Sequence, residues 1–209
     1  MKVLLKTISP IEVELDPDFY DYDYYMRGCQ SGKSSYMGGW GYGGGERECD
    51  NILKYFGSIE SVVEVGCALG NVVKAFENKG IDTLGIEYSN FCVKGSYAKY
   101  VIWGDLSKTL PIKDGRYELA LCLEALEHIE DTESAVRELC RISSKWIFVT
   151  IPDDTPARIN DGDASHISIF PKSYWVEQFK NNGFVLQDGS PTGFVNYTDG
   201  LALVFQKIK

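Results

Sequence analysis

Histidine is nearly absent from this sequence. His128 and His166 are the only two in 209 residues, so any chemistry that needs an imidazole has two candidates. The six cysteines, Cys29, Cys49, Cys67, Cys92, Cys122 and Cys140, contain no C-x-x-C pair, which argues against a zinc ribbon or a dithiol redox centre. Several sit inside apolar runs and read as buried reduced thiols rather than disulfides. No apolar run approaches the ~18 residues of a membrane span, and no segment reads as a signal peptide, so a cytoplasmic protein is expected. Positive charge is also short: 21 Lys and Arg stand against 30 Asp and Glu, a net charge of −9. That balance disfavours an extended nucleic-acid footprint. The sequence has no internal repeat, and its length suits one globular domain with additions.

What is present is organised around Ser61-Val62-Val63-Glu64-Val65-Gly66-Cys67-Ala68-Leu69-Gly70-Asn71-Val72-Val73. A β-branched run breaks at Gly66, stays small through Ala68, and reaches Gly70 before an apolar helix. A strand, a glycine turn and a helix N-terminus together direct backbone N–H groups at a polar ligand. The dinucleotide pattern G-x-G-x-x-G does not fit these residues. Instead, Glu-x-Gly-x-Ala-x-Gly-Asn resembles the first motif of the class I S-adenosylmethionine-dependent methyltransferases, E-x-G-x-G-x-G. Ala68 replaces the middle glycine, a departure that is mild unless the position requires positive φ.

From Glu46 onward, strands and helices alternate. Helices are expected over Glu46–Phe56, Val72–Lys79, Ser89–Lys99, Thr132–Ile142 and Ser173–Asn182. Strands are expected over Ser61–Val65, Thr83–Glu87, Val101–Asp105, Tyr117–Leu123 and Lys145–Ile151, with a terminal antiparallel pair at Phe184–Gln187 and Leu201–Lys207. This reads as an α/β fold with a doubly wound, mostly parallel sheet. The family resemblance implies seven strands in the order 3-2-1-4-5-7-6. Residues 46–209 would form the cofactor-binding domain and residues 1–45 an N-terminal arm and lid. Within the latter, residues 1–15 alternate weakly and suit a hairpin or arm. Phe19, Tyr20, Tyr22, Tyr24 and Tyr25 then precede a glycine-rich stretch carrying Tyr36, Trp40 and Tyr42. This aromatic and glycine segment is expected to be non-helical, and a lid folded over a ligand pocket is favoured over a disordered linker. It resembles the lids of small methyltransferases that modify sugars and natural products.

The resemblance also implies roles for the acids that end strands. Glu64 would meet the methionine amino group, Glu87 the ribose hydroxyls and Asp105 the adenine amino group. Gly66, Cys67, Ala68, Gly70 and Asn71 would line the loop, with Tyr88, Leu106 and Leu123 completing the cofactor site. Each acid could alternatively cap a turn or a helix.

Beyond the fourth strand stands Leu123-Glu124-Ala125-Leu126-Glu127-His128-Ile129, which lacks the Asn/Asp-Pro-Pro-Tyr/Phe signature of base-amino methyltransferases. If helical, Glu124, Glu127 and His128 share one face. The E-x-x-E-H arrangement resembles both quinone-pathway O-methyltransferases and metal-assisted RNA 2′-O-methyltransferases, which makes Glu124, Glu127, His128 and His166 an alternative metal set. A divalent metal is nevertheless not expected, since the pattern also occurs in metal-free members. His128 and His166 are the candidate bases, and each could instead be a packed or hydrogen-bonded loop histidine. The expected activity is methyl transfer from S-adenosylmethionine to a small molecule, with O-methylation of a sugar, nucleotide sugar or other metabolite favoured. The alternatives are a metal-assisted RNA 2′-O-methyltransferase and a non-catalytic S-adenosylmethionine-binding module. The oligomeric state is open.

Overall fold

The computed structural model describes residues 15–27, 45–154, 163, 165–193 and 200–208. The expected arm before Leu15 and the glycine-rich part of the lid, 28–44, lie outside the described residues.

Seven strands form one sheet: β1 (Ser61–Val65), β2 (Asp82–Glu87), β3 (Val101–Trp103), β4 (Tyr117–Leu123), β5 (Ser143–Ile151), β6 (Phe184–Leu186) and β7 (Leu201–Lys207). Their spatial order is 3-2-1-4-5-7-6, as expected. β1 to β5 run parallel, and β7 inserts antiparallel between β5 and β6. Six helices complete the described chain: α1 (Tyr22–Arg27), α2 (Glu46–Phe56), α3 (Asn71–Asn78), α4 (Asn90–Gly95), α5 (Thr132–Ile142) and α6 (Lys172–Asn181).

Both faces of the sheet are covered, which explains why its central strands read as continuous apolar runs. Val62, Leu119, Leu121 and Phe148 pack on one face against Cys49 and Ile52 of α2 and Ala75 and Phe76 of α3. The alternate residues Val63, Ala120, Cys122, Ile147 and Val149 point to the other face. There they meet Ala135, Val136 and Leu139 of α5 and Trp175 and Phe179 of α6. Phe179 stacks on Phe205 of β7 at 4.1 Å between ring centres. Each large apolar side chain buried this way contributes roughly 1.5–3 kcal/mol. Cys49, Cys67, Cys92, Cys122 and Cys140 are buried free thiols, as anticipated.

Four elements depart from expectation by more than a one-residue shift. α4 stops at Gly95 rather than Lys99. The chain turns there so that the Tyr97 N–H can donate to Leu69 O at 2.9 Å, bracing the loop after β1. β3 ends at Trp103, which leaves Asp105 in the following turn. β5 begins at Ser143, directly after α5, with no intervening loop. The aromatic segment is also partly helical: Asp21 Oδ1 accepts from the N–H groups of Asp23 (2.8 Å) and Tyr24 (3.0 Å), capping the six-residue α1.

Candidate functional site

The parallel strands present their carboxyl ends along one edge, where ligands of open α/β sheets bind. The loop after β1 is built there from the glycine motif. Gly66 (φ 74) and Gly70 (φ 74) both adopt left-handed conformations. A Cβ on Gly66 would lie 2.5 Å from Ala125 Cβ, so only glycine fits the crossing with the loop after β4. Ala68 also has positive φ, at 47°, so the replacement of the middle glycine is strained rather than mild. Its N–H, thus turned, donates to Glu87 Oε2 at 2.6 Å. Glu87 Oε1 accepts from Ser89 N–H at 2.8 Å. The acid that ends β2 therefore fixes the loop that follows β1.

Glu64 is buried one strand away, and one of its carboxylate oxygens, Oε2, has no hydrogen-bond partner. Burial, followed by the nearby charge of Glu87, pushes its carboxyl up to about 8, against a lowering contribution from the Val73 N–H. Burial also raises Glu87, while backbone N–H groups from Ser89, Ala68 and Tyr88 pull it back. Two buried carboxyls beside a glycine loop form a site electrostatically prepared for a cationic, hydroxyl-rich ligand. This is the structural observation that fits S-adenosylmethionine, whose amino group and ribose supply those features.

Asp105 accepts from Ser107 N–H (2.8 Å) and Ser107 Oγ (2.7 Å), so it caps its own turn. Leu106 is buried beside it, Leu123 is half-buried at the end of β4, and Cys67 and Asn71 occupy the glycine loop and the first turn of α3. Tyr88 and Trp103 flank this end of the crevice with ring centres 6.0 Å apart, and Trp103 Nε1 donates to Tyr88 O at 2.9 Å. Trp103 was not among the sequence candidates. It ends β3, 48% exposed, two residues before Asp105.

Across the crevice, Leu126–His128 forms a 3-10 turn. Glu124 precedes it with φ 51, a strained conformation for a residue bearing a side chain. The three residues of E-x-x-E-H therefore do not share a helical face. What the fold brings together is Glu127, His128 and His166, whose donor atoms all lie within 4.8 Å of one another, with Glu124 outside this group. The two imidazoles are 4.8 Å apart, centre to centre. The carbonyl of Glu127 accepts from the N–H groups of Ile167 (3.0 Å) and Ser168 (2.9 Å), which ties the segment after β5 to the turn after β4.

His128 Nδ1 lies 2.9 Å from Ser165 Oγ and 3.2 Å from Ser165 O. Ser165 Oγ donates to Asp163 Oδ1 at 2.5 Å. A carbonyl only accepts, and the serine proton is already committed to Asp163, so Nδ1 of His128 carries the proton and Nε2 holds the lone pair. Burial, then repulsion from His166, lowers His128 to about 4 despite the opposing pull of Asp163 and Ser165. The imidazole is consequently neutral at physiological pH. Asp163 and Ser165 escaped the sequence reading, although the Asp163-Ala164-Ser165-His166 string held them both. Their separation from His128 along the chain hid the pairing.

Residues 15–27 lie over this crevice. Tyr20, Tyr24 and Tyr25 are buried with Leu69 and Cys92, and Phe19, Ala68, Tyr88 and Phe91 pack around them. Ser89 Oγ donates to Tyr20 O at 2.5 Å on one side, and Tyr24 OH donates to Asp163 Oδ2 at 3.2 Å on the other.

A family model described as Methyltransferase domain matches residues 44–188, most of the chain. A norajmaline N-methyltransferase from Rauvolfia serpentina is 30% identical over 102 residues, 44% of this chain and 35% of that protein. A ubiquinone biosynthesis O-methyltransferase from Bordetella avium is 25% identical over 124 residues, 50% of this chain and 48% of its own length. This chain thus spans less than half the length of either curated relative. Magnesium protoporphyrin IX methyltransferase from Synechocystis PCC 6803, solved with bound S-adenosylhomocysteine, superposes with a TM-score of 0.61 at 16% identity, over 79% of this chain and 84% of that one. A protein from Pyrococcus horikoshii OT3 gives a TM-score of 0.64 at 14% identity, over 91% of this chain and 99% of that one. At such identities the likeness speaks for the fold. The glycine motif, the strand order and the family match agree, and the chain belongs to the methyltransferase-domain family with the class I, S-adenosylmethionine-dependent form of its fold.

Proposed function

We propose that this protein methylates a hydroxyl of a small molecule, with His128 as the base. The observation that carries this reading is the neutral, buried imidazole at the end of β4, oriented through Nδ1 by Ser165 and Asp163. S-Adenosylmethionine supplies an electrophilic methyl on a positively charged sulfur. Glu64 would hold its amino group, Glu87 its ribose and Asp105 its adenine amino group, with Tyr88 and Trp103 beside the base. His128 would take the acceptor's hydroxyl proton on Nε2 as the methyl passed to the hydroxyl oxygen, the C–S bonding pair staying with sulfur. Asp163 and Ser165 hold the imidazole in the required tautomer, and residues 15–27 exclude water and align the reactants. Alignment of this kind is worth up to ~7–11 kcal/mol in favourable cases.

The carboxylates of Glu127 and Asp163 and the net charge of −9 favour an acceptor whose reacting part is uncharged, such as a sugar hydroxyl, over one that presents phosphate there. The test is turnover of S-adenosylmethionine against a panel of sugars, nucleotide sugars and phenols, with the methylated product identified by mass spectrometry. Binding without turnover on any acceptor would favour the non-catalytic alternative. One observation supports a second reading, a metal-assisted O-methyltransferase: Glu127, His128 and His166 form a carboxylate and two-imidazole set suited to a divalent transition metal. Activity that disappears with EDTA and returns with Mn²⁺ would select it.

A further inference from the structure

We infer that the hydroxyl of Tyr20 reads the positive charge of the bound cofactor at the transfer point, distinguishing the sulfonium substrate from its neutral thioether product. The inference rests on the proposed use of S-adenosylmethionine and adds a residue from outside the matched domain, which begins at residue 44.

Four observations place Tyr20 there. Its backbone is fastened beside the cofactor acid: Ser89 Oγ donates to its carbonyl, and Asn90 Nδ2 donates to Asp18 Oδ1 at 3.1 Å. Four residues on, Tyr24 reaches Asp163 after β5, so the segment crosses the crevice from one wall to the other. The Tyr20 ring stands between the two functional walls, 6.4 Å from the Tyr88 ring on the cofactor side and 5.8 Å from the His128 ring on the acceptor side. A methyl group passing from one wall to the other passes this ring.

The fourth observation is the hydroxyl itself. Tyr20 is 8% exposed, and its buried OH makes no hydrogen bond of good geometry, only a looser side-chain contact with Ser165. Burying a hydroxyl unpaired is costly, and such groups in folded proteins call for an explanation. The charged groups that act on it are Asp163, Glu127 and Glu87, all carboxylates. That environment repels an anion and suits a cation. Burial, and to a lesser degree those carboxylates, holds the phenol far above its ordinary range against an opposing contact from Ser165, so it remains a neutral O–H whose oxygen lone pairs can face positive charge. A methylsulfonium lodged between Glu87 and His128 meets this oxygen, whereas the thioether left after transfer offers it nothing.

The test compares Tyr20→Phe with the unaltered full chain by calorimetry, using S-adenosylmethionine, S-adenosylhomocysteine and sinefungin. Sinefungin carries an ammonium near the position of the sulfonium. Phenylalanine keeps the ring packing and removes only the hydroxyl. Sinefungin should weaken by about 10-fold or more, the lower range for a hydrogen bond to a charged group, and S-adenosylmethionine by a smaller but clear factor. S-Adenosylhomocysteine should stay within about twofold, which also shows that the variant is folded. Equal weakening of all three ligands would overturn the inference, because it would mean that Tyr20 only packs the segment. Unchanged affinity for all three would overturn it as well. If none of the three binds the unaltered protein, the proposed cofactor use fails instead.

Discussion

Replacing Glu64 by glutamine separates two effects that the fold places on one carboxyl. In the ligand-free protein, burial, then the charge of Glu87, pushes this carboxyl up to about 8 from its ordinary 4.5. Because the folded state holds its proton more tightly than the unfolded state, its contribution to stability is fully present below about pH 4.5. It is lost as pH rises through about 8. The two values correspond to a ceiling of about 5 kcal/mol, with relaxation of the site reducing it. Glutamine keeps the shape and the acceptor oxygen for Val73 but cannot ionise. The ligand-free Glu64→Gln variant should therefore match the unaltered protein near pH 5 and exceed it at pH 9. For a chain of this size the difference would be on the order of 10 °C in melting temperature.

Ligand binding reverses the preference. An ammonium beside Glu64 Oε2 favours the carboxylate, so binding S-adenosylhomocysteine near pH 7 should expel up to about one proton. Calorimetry in phosphate and in Tris, whose ionisation enthalpies differ, counts that proton directly. The glutamine variant should release none from this site and bind about 10- to 100-fold more weakly. Proton release that is absent in the unaltered protein, together with a stability gap that does not change with pH, would refute the assignment of Glu64.

Other perturbations test neighbouring parts of the site. Ala68→Gly should stabilise the protein by up to about 1 kcal/mol in urea denaturation, since it relieves a left-handed alanine at some cost in unfolded-chain freedom. Destabilisation would show that the methyl packs better than its φ of 47° suggests. His128→Ala should lower turnover about 10²–10⁴-fold while S-adenosylhomocysteine affinity, followed by calorimetry, stays nearly unchanged. With His128 lowered to about 4, its neutral form persists well below the ~6.5 of an ordinary histidine, so an acid limb from this residue should lie nearer pH 4 in the pH profile of turnover. EDTA should leave initial rates unchanged if His128 Nε2 is a proton acceptor, and loss with recovery on Mn²⁺ would reassign it as a metal ligand.

The sheet was legible because its punctuation is written in residue types with one conformational use. Gly57 and Gly183 sit at positive φ where α2 and α6 give way to strands, and Pro152 follows the last residue of β5. Double burial turned β1, β4 and β5 into apolar runs, which revealed a parallel arrangement before any pairing was known. Boundaries failed where tertiary contacts overrode local preference. The segment after Ser89 reads as helix to Lys99, but Tyr97 is drawn to Leu69 across the glycine loop, and the helix ends at Gly95, four residues short. α1 was obscured by its glycine-rich neighbour, even though Asp21 followed by Asp23 and Tyr24 is a readable cap.

The site divides along the same physical line. The positions of Glu64, Gly66, Gly70 and Glu87 were legible because backbone geometry at a strand end sets them, and sequence position encodes that geometry. The acceptor side was only half legible, because its grouping depends on where long connections return. E-x-x-E-H suggests a single helical face, yet a left-handed Glu124 and a 3-10 turn send its members apart, and His166 arrives from 38 positions later to join Glu127 and His128. No periodicity announces that meeting. The hydrogen bonds from Ile167 and Ser168 to the Glu127 carbonyl create it, and Ser165 then orients His128 from the same segment. Tyr20 belongs to this class too: its aromatic neighbours signal packing, but only the fold shows its hydroxyl buried beside Ser165 and near three carboxylates. The residues proposed to bind the cofactor are thus fixed by the β-strand frame, while those proposed to face the acceptor hang on loops whose contacts are long-range. Substitutions in the loops should therefore change the acceptor with little effect on the fold, whereas substitutions at Gly66 or Glu87 should affect both.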